Sequence, residues 1–153
     1  MKAVAILQGN YQVSGKVVFE QNAPGKLVTI TGNLTGLPPN NTRGFHIHTS
    51  GDLTGGCSTA GAHYNPFHRF HGAPEDFVRH VGDLGNIKSD ASGNSNFVMT
   101  DKVISLNGFT SIIGRTVVVH TFFDDLGRAW DGEETTETGN SGSRAACGII
   151  GIA

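Results

Sequence analysis

Apolar and polar residues alternate with a period of two along much of this chain, and nowhere do apolar positions recur at helical spacing over a dozen residues. Short alternating or β-branched runs occupy residues 2–8, 16–21, 27–34, 44–48, 96–100 and 115–120, with a glycine-flanked apolar end over 145–153 and one further candidate at 81–88. Turn chemistry separates them, as in Gly36-Leu37-Pro38-Pro39-Asn40-Asn41, Ser92-Gly93-Asn94 and Gly139-Asn140-Ser141-Gly142. The pattern predicts an all-β chain of seven or eight strands, a sandwich or flattened barrel. Two segments, 49–82 and 121–143, carry no strand pattern and are too long for ordinary connections, which marks them as functional loops.

Composition agrees with this reading. Twenty-two glycines in 153 residues suit many turns and bulges and few long helices. The length fits a single domain over residues 1–153 with a core of its own. Eleven basic and thirteen acidic residues leave a net charge of -2, which excludes the basic footprint of a nucleic-acid binder and an acidic tail. No apolar run reaches the roughly 18 residues of a membrane helix. The early apolar stretch, residues 3–7, is cut by Gln8, Gly9 and Asn10 and is shorter than a signal-peptide core, so a cytoplasmic location is expected. Cys57 and Cys147 form no C-x-x-C pair, which leaves free thiols, thiolate ligands or one long-range disulfide open.

The histidines change the picture most. There are seven, and six of them fall between His46 and His80. His46 and His48 flank Ile47 on a predicted strand, so their imidazoles share one face and can chelate. His120 ends another strand and His63 lies in the first long loop, which completes a four-nitrogen set of the kind that suits Cu(II). Downstream, His71, His80 and Asp83 offer two nitrogens and a carboxylate, one ligand short of a closed tetrahedral zinc site. A fully deprotonated imidazole has two donor nitrogens, and His63, between the two groups, is the candidate bridge. His68 is read as a loop surface residue without a ligand role.

These residues sit in longer motifs: Gly44-Phe45-His46-Ile47-His48, Gly61-Ala62-His63-Tyr64-Asn65-Pro66, His71-Gly72-Ala73-Pro74, Arg79-His80-Val81-Gly82-Asp83-Leu84-Gly85-Asn86, Ile113-Gly114-Arg115-Thr116-Val117-Val118-Val119-His120 and Gly139-Asn140-Ser141-Gly142-Ser143-Arg144. Together they resemble the copper/zinc superoxide dismutase family over essentially the whole chain. The resemblance implies an eight-stranded Greek-key β-barrel with two long functional loops, holding one copper and one zinc ion per subunit. It assigns His46, His48, His63 and His120 to copper, and His63, His71, His80 and Asp83 to zinc. It implies dismutation of superoxide to dioxygen and hydrogen peroxide by alternate reduction and re-oxidation of copper, with His63 and Arg144 as the catalytic residues. By the same resemblance Asp124 links a copper histidine to a zinc histidine, Arg144 guides the anion, and Cys57 pairs with Cys147 in a disulfide. A homodimer and a copper chaperone are the implied partners besides superoxide, with no nucleic acid or membrane. The alternative function is a non-catalytic copper/zinc-binding or chaperone-like domain.

Two features depart from the family pattern. Family members commonly carry lysines beside the channel, where this chain has Phe122 and Glu137, and the segment 122–137 holds six acids (Asp124, Asp125, Asp131, Glu133, Glu134, Glu137) against Arg128. The family is a standard example of electrostatic steering, and weaker steering is expected here. Thr49-Ser50-Gly51 lacks the phenylalanine that many members place in the dimer contact. The resemblance also pairs Arg79 with Asp101, which the sequence alone reads as a surface ion pair worth less than about 1 kcal/mol.

Overall fold

A computed structural model describes residues 1–130 and 132–153. Its strands are β1 (Lys2–Leu7), β2 (Ser14–Gln21), β3 (Val28–Thr35), β4 (Thr42–His48), β5 (Asp83–Lys88), β6 (Ser95–Asp101), β7 (Thr116–His120), β8 (Arg144–Ile149) and β9 (Gly151–Ile152). Eight strands take the eight predicted places, and the predicted run 145–153 divides at Ile150 into β8 and the two-residue β9. They form two antiparallel sheets, ordered β6-β3-β2-β1-β9 and β5-β4-β7-β8. The chain crosses from one sheet to the other between β3 and β4 and returns from β5 to β6, which gives the Greek-key connectivity. Gln8 and Cys147 exchange backbone hydrogen bonds of 3.1 and 3.0 Å and close the seam between β1 and β8.

The core lies between the sheets. Phe19, Ile30 and Leu34 from the first meet Phe45, Ile47, Val117 and Val119 from the second, all fully buried. Gly32 of β3 lies under the ring of Phe97, and any side chain there would overlap that ring. Phe97 in turn sits edge-on to Phe45, with centroids 5.3 Å apart.

The outer face of the second sheet positions the histidines. β4 and β7 alternate like any strand, so Phe45, Ile47, Val117 and Val119 point to the core while His46, His48 and His120 point outward. These outward positions are nevertheless buried, because the two long loops fold over them. The first loop is tied to β8 by the Cys57–Cys147 disulfide, which resolves the three options left open above. The second loop carries a short helix, α1 (Glu133–Glu137), whose Thr136 carbonyl accepts from the His71 amide at 2.7 Å. Arg128 reaches across with both terminal nitrogens to the Asp76 carboxylate, at 2.7 and 2.8 Å.

Arg79 and Asp101 are not a surface pair. Both are buried and join at 2.6 Å, and Arg79 also donates to the carbonyls of Pro74, His80 and Val81. Asp101 accepts from the amides of Val103 and Ile104 at 2.7 and 2.8 Å. A charge pair so fully hydrogen-bonded fixes the end of the first loop to β6, which the exposed-pair expectation understated.

Candidate metal centre

The first cluster joins His46, His48, His63 and His120, all buried, with one nitrogen from each lying within 4.8 Å of the others. Carbonyl and carboxylate acceptors decide which nitrogen faces inward. His48 Nδ1 donates to the Gly61 carbonyl at 2.7 Å, and His120 Nδ1 donates to the Gly142 carbonyl at 3.2 Å. Each therefore turns an Nε2 lone pair into the cluster, and those two atoms stand 3.2 Å apart. His46 Nε2 donates to Asp124 Oδ2 at 2.7 Å, which leaves Nδ1 buried and without a hydrogen-bond partner. Lone pairs converging in a buried space repel one another unless a cation lies between them, and an all-imidazole set suits copper.

The second cluster joins His63, His71, His80 and Asp83 on the same terms. Nδ1 of His63, His71 and His80 lie 3.0, 3.0 and 3.2 Å from Asp83 Oδ1. The His80 and His63 Nδ1 atoms are 3.3 Å apart. His71 Nδ1 has no aligned hydrogen bond despite its nearness to Asp83, so the two atoms point toward a common centre rather than at each other. Three nitrogens and one carboxylate oxygen match the donor set of a closed zinc site. His63 presents Nδ1 here, so Nε2 on the far side of its ring is its contribution to the first cluster. An isolated bridge between His48 and His63 brings the first loop alongside β4 and carries the shared ring there.

Asp124 spans the two clusters. Its Oδ2 takes the His46 Nε2 proton, and its Oδ1 takes the His71 Nε2 proton at 2.7 Å. Both of its oxygens accept from ring N–H groups, an arrangement suited to orienting the two imidazoles. The Asn86 amide group accepts from the Asp124 backbone N–H at 2.7 Å and holds that residue in place.

Electrostatics separate the clusters. Burial pushes His46 and His48 well below the usual imidazole range, with mutual repulsion adding to it, and pushes His120 down to about 3. The first cluster is thus neutral and rich in lone pairs. Burial would also lower His71, but the Asp124 hydrogen bond and the Asp83 carboxylate outweigh it and raise the ring to about 9. Burial would raise Asp83, yet the three surrounding imidazoles hold it far below the usual carboxylate range. The second cluster therefore attracts positive charge, as a divalent-cation site must.

A cleft opens over the first cluster between the two loops, lined by His48, His63 and His120 together with Arg144. Arg144 donates to the carbonyls of Cys57 and Gly61, each at 2.6 Å, and makes no carboxylate contact among the described residues. Of the six acids counted in the second loop, only Glu134 and Glu137 line this cleft among the described residues. Asp124 binds the two imidazoles, and Asp125 accepts from Thr135 and Asn140. Asp131 lies outside the described residues. Phe122 borders a separate hollow with Tyr11, Leu37 and Arg43. His68 is exposed and joins neither donor cluster, as its reading as loop surface expects; it lines this cleft, and so does Arg69, which sequence reasoning did not single out. The available signal was a base in the histidine-bearing loop flanked by Phe67 and Phe70.

Comparison with known proteins agrees with this geometry. The family model described as copper/zinc superoxide dismutase matches residues 13–150. The Cu-Zn superoxide dismutase of Humicola lutea is 56% identical over 153 residues, covering 100% of this chain and 99% of that protein. That of Candida glabrata is 54% identical over 152 residues, covering 99% and 98% of the two chains. That of Kluyveromyces lactis is 56% identical over 152 residues, covering 99% and 97%.

Proposed function

The chain belongs to the copper/zinc superoxide dismutase family, and from that premise we propose that its residues 1–153 form one dismutase unit that converts two superoxide anions and two protons to dioxygen and hydrogen peroxide. The observation that carries this reading is the pair of converging donor clusters that share His63. Its ligands would be His46, His48, His63 and His120 for copper, and His63, His71, His80 and Asp83 for zinc. Bound there, copper would supply a one-electron redox couple, which zinc, having no accessible second oxidation state, would not.

The remaining work falls to side chains. The Arg144 fork keeps its full charge beside the first cluster and draws the anion into the cleft. Asp124 fixes the orientation of His46 and His71. With His63 Nδ1 committed to the second cluster, Nε2 is the atom at which this ring holds and delivers one of the two protons that peroxide requires. The other proton enters from solvent through the open cleft.

Measuring superoxide decay by pulse radiolysis or stopped flow, with copper and zinc determined on the same sample, tests this function. Full occupancy of both metals with no acceleration would leave the non-catalytic copper/zinc-binding alternative standing. The reading includes a homodimer, supported by the exposed Ile149 and Ile152. A purely monomeric species in sedimentation at micromolar concentration would remove that part. It also includes copper delivery by a chaperone and a cytoplasmic location. No helix among the described residues is long and apolar enough to cross a membrane, and residues Lys2–Leu7 are built into the barrel as β1. Cell fractionation checks the location, and metal loading in cells lacking the chaperone checks the delivery.

A further inference from the structure

The chain has six arginines, and five of them are tied down. Arg79 and Arg128 pair with carboxylates, while Arg69, Arg115 and Arg144 donate to backbone carbonyls. Among the described residues, Arg43 alone has neither a hydrogen bond nor an ion pair on its guanidinium. It is half-buried in β4, and burial pushes its guanidinium below the usual arginine range. A cation that has given up water without gaining a partner is unusual, because such desolvation is normally offset by hydrogen bonds.

Arg43 lines a hollow of about 580 Å³ that shares His120 with the cleft over the first cluster. The end of the core, buried Val13 and Leu37, forms part of its lining. Pro38 and the rings of Tyr11 and Phe122, 55% and 62% exposed, form more of it. Among the described residues no Asp or Glu lines it. Backbone contacts hold these parts together. Gly44, next to Arg43, donates its N–H to the Phe122 carbonyl at 2.8 Å, and the Phe122 N–H donates to the Ser141 carbonyl at 2.9 Å. Gly142, with a φ of 72°, lets the Phe122 ring lie against bare backbone, where any side chain would strike it. Phe122 stands where family members commonly carry a lysine, so here a ring replaces a charge and leaves Arg43 as the one cation of the hollow.

We propose that this hollow is a binding site for a small aromatic carboxylate, its carboxylate paired with the Arg43 guanidinium and its ring against Tyr11 and Phe122. A guanidinium fork matches a carboxylate with two parallel hydrogen bonds. Aromatic walls favour a ring over an aliphatic body, and the volume suits a small organic ligand. An inorganic anion would leave the rings bare, and a neutral aromatic would leave the cation unpaired. The site stands apart from the dismutase reaction and does not depend on it.

Benzoate is the probe, titrated into the metal-loaded protein in its reduced form and followed by amide chemical shifts, which give affinity and location together. A Kd in the millimolar range or tighter is expected, with shifts concentrated at residues 11–13, 36–37, 43 and 122. Acetate and benzyl alcohol, each lacking one half of the ligand, should bind roughly tenfold more weakly. Arg43→Gln should weaken benzoate binding about tenfold or more, and Phe122→Ala about 3- to 10-fold. The amide spectrum without ligand checks that each variant keeps its fold, and the ligand series on the wild type decides the matter if one does not. Shifts confined to residues 61–63 and 144 would put the anion on Arg144 and overturn the proposal. So would acetate binding as tightly as benzoate, unchanged benzoate affinity in a folded Arg43→Gln, or no saturation by about 50 mM.

Discussion

His48 and Arg144 hydrogen-bond to a single acceptor, the Gly61 carbonyl, at 2.7 and 2.6 Å. Arg144 also holds the carbonyl of Cys57. The segment from Cys57 to Gly61 therefore sets the tautomer of a proposed copper ligand and the position of the proposed anion-guiding Arg144 together. The disulfide pins that segment to β8.

Opening the disulfide should accordingly reach the chemistry. Cys57→Ser with Cys147→Ser removes a cross-link spanning 90 residues, worth about 4–5 kcal/mol in the chain-entropy model. Activity at matched metal content should fall roughly 10- to 100-fold, because small displacements of positioning groups are costly. Superoxide decay and thermal unfolding on the same preparations check both effects, and full activity in the disulfide-free protein would refute the coupling.

Gly139 adopts a φ of 67°, and a Cβ at this position would strike Asp124 Oδ1 and His71 Nε2. Gly139→Ala should break the contact between Asp124 and His71. Zinc affinity should drop about 10- to 100-fold, as it does when groups that orient metal ligands are lost. Chelator competition measures this, and Asp124→Asn should give a drop of similar size if the carboxylate link is the cause.

Arg79→Met leaves Asp101 buried without its cation. Breaking a buried pair from one side costs roughly 3–5 kcal/mol. The loss should appear in denaturant unfolding of both metal-free and metal-loaded protein. A change under about 1 kcal/mol would restore the exposed-pair reading.

Arg144 shares the cleft with Glu134 and Glu137. With these charges opposed, the superoxide rate constant should decline only shallowly as ionic strength rises from about 0.01 to 0.15 M. Glu137→Lys should raise the low-salt rate and steepen the decline. A steep decline in the wild type would contradict the balance.

Much of this was legible from the chain. Alternation along 44–48 and 115–120 places His46, His48 and His120 on one outward face, and the strands do so. What escaped was the conversion of loop sequence into surroundings. Six acids within 122–137 read as weakening the steering, and while the resemblance already turned Asp124 inward, it did not show that Asp125 also turns inward, to the Thr135 hydroxyl. Arg79 and Asp101 read as surface residues because nothing local buries them; the loop that covers them is fixed by contacts distant in sequence. Arg69 carried no periodic signal at all, since its position depends on how the first loop folds back on Phe77.

The two clusters are also framed unequally. Three of the four rings in the first come from β4 and β7, strands paired on both sides in the middle of a sheet. The second draws His63, His71 and His80 from loop and only Asp83 from a strand end. Before any ion arrives, one half of the centre is therefore rigid and the other must bear the ordering entropy of a long loop. Amide exchange in the metal-free protein should be slow at residues 45–48 and 116–120 and fast across 64–80, so that zinc is felt as much in the folding of the loop as in the site it completes.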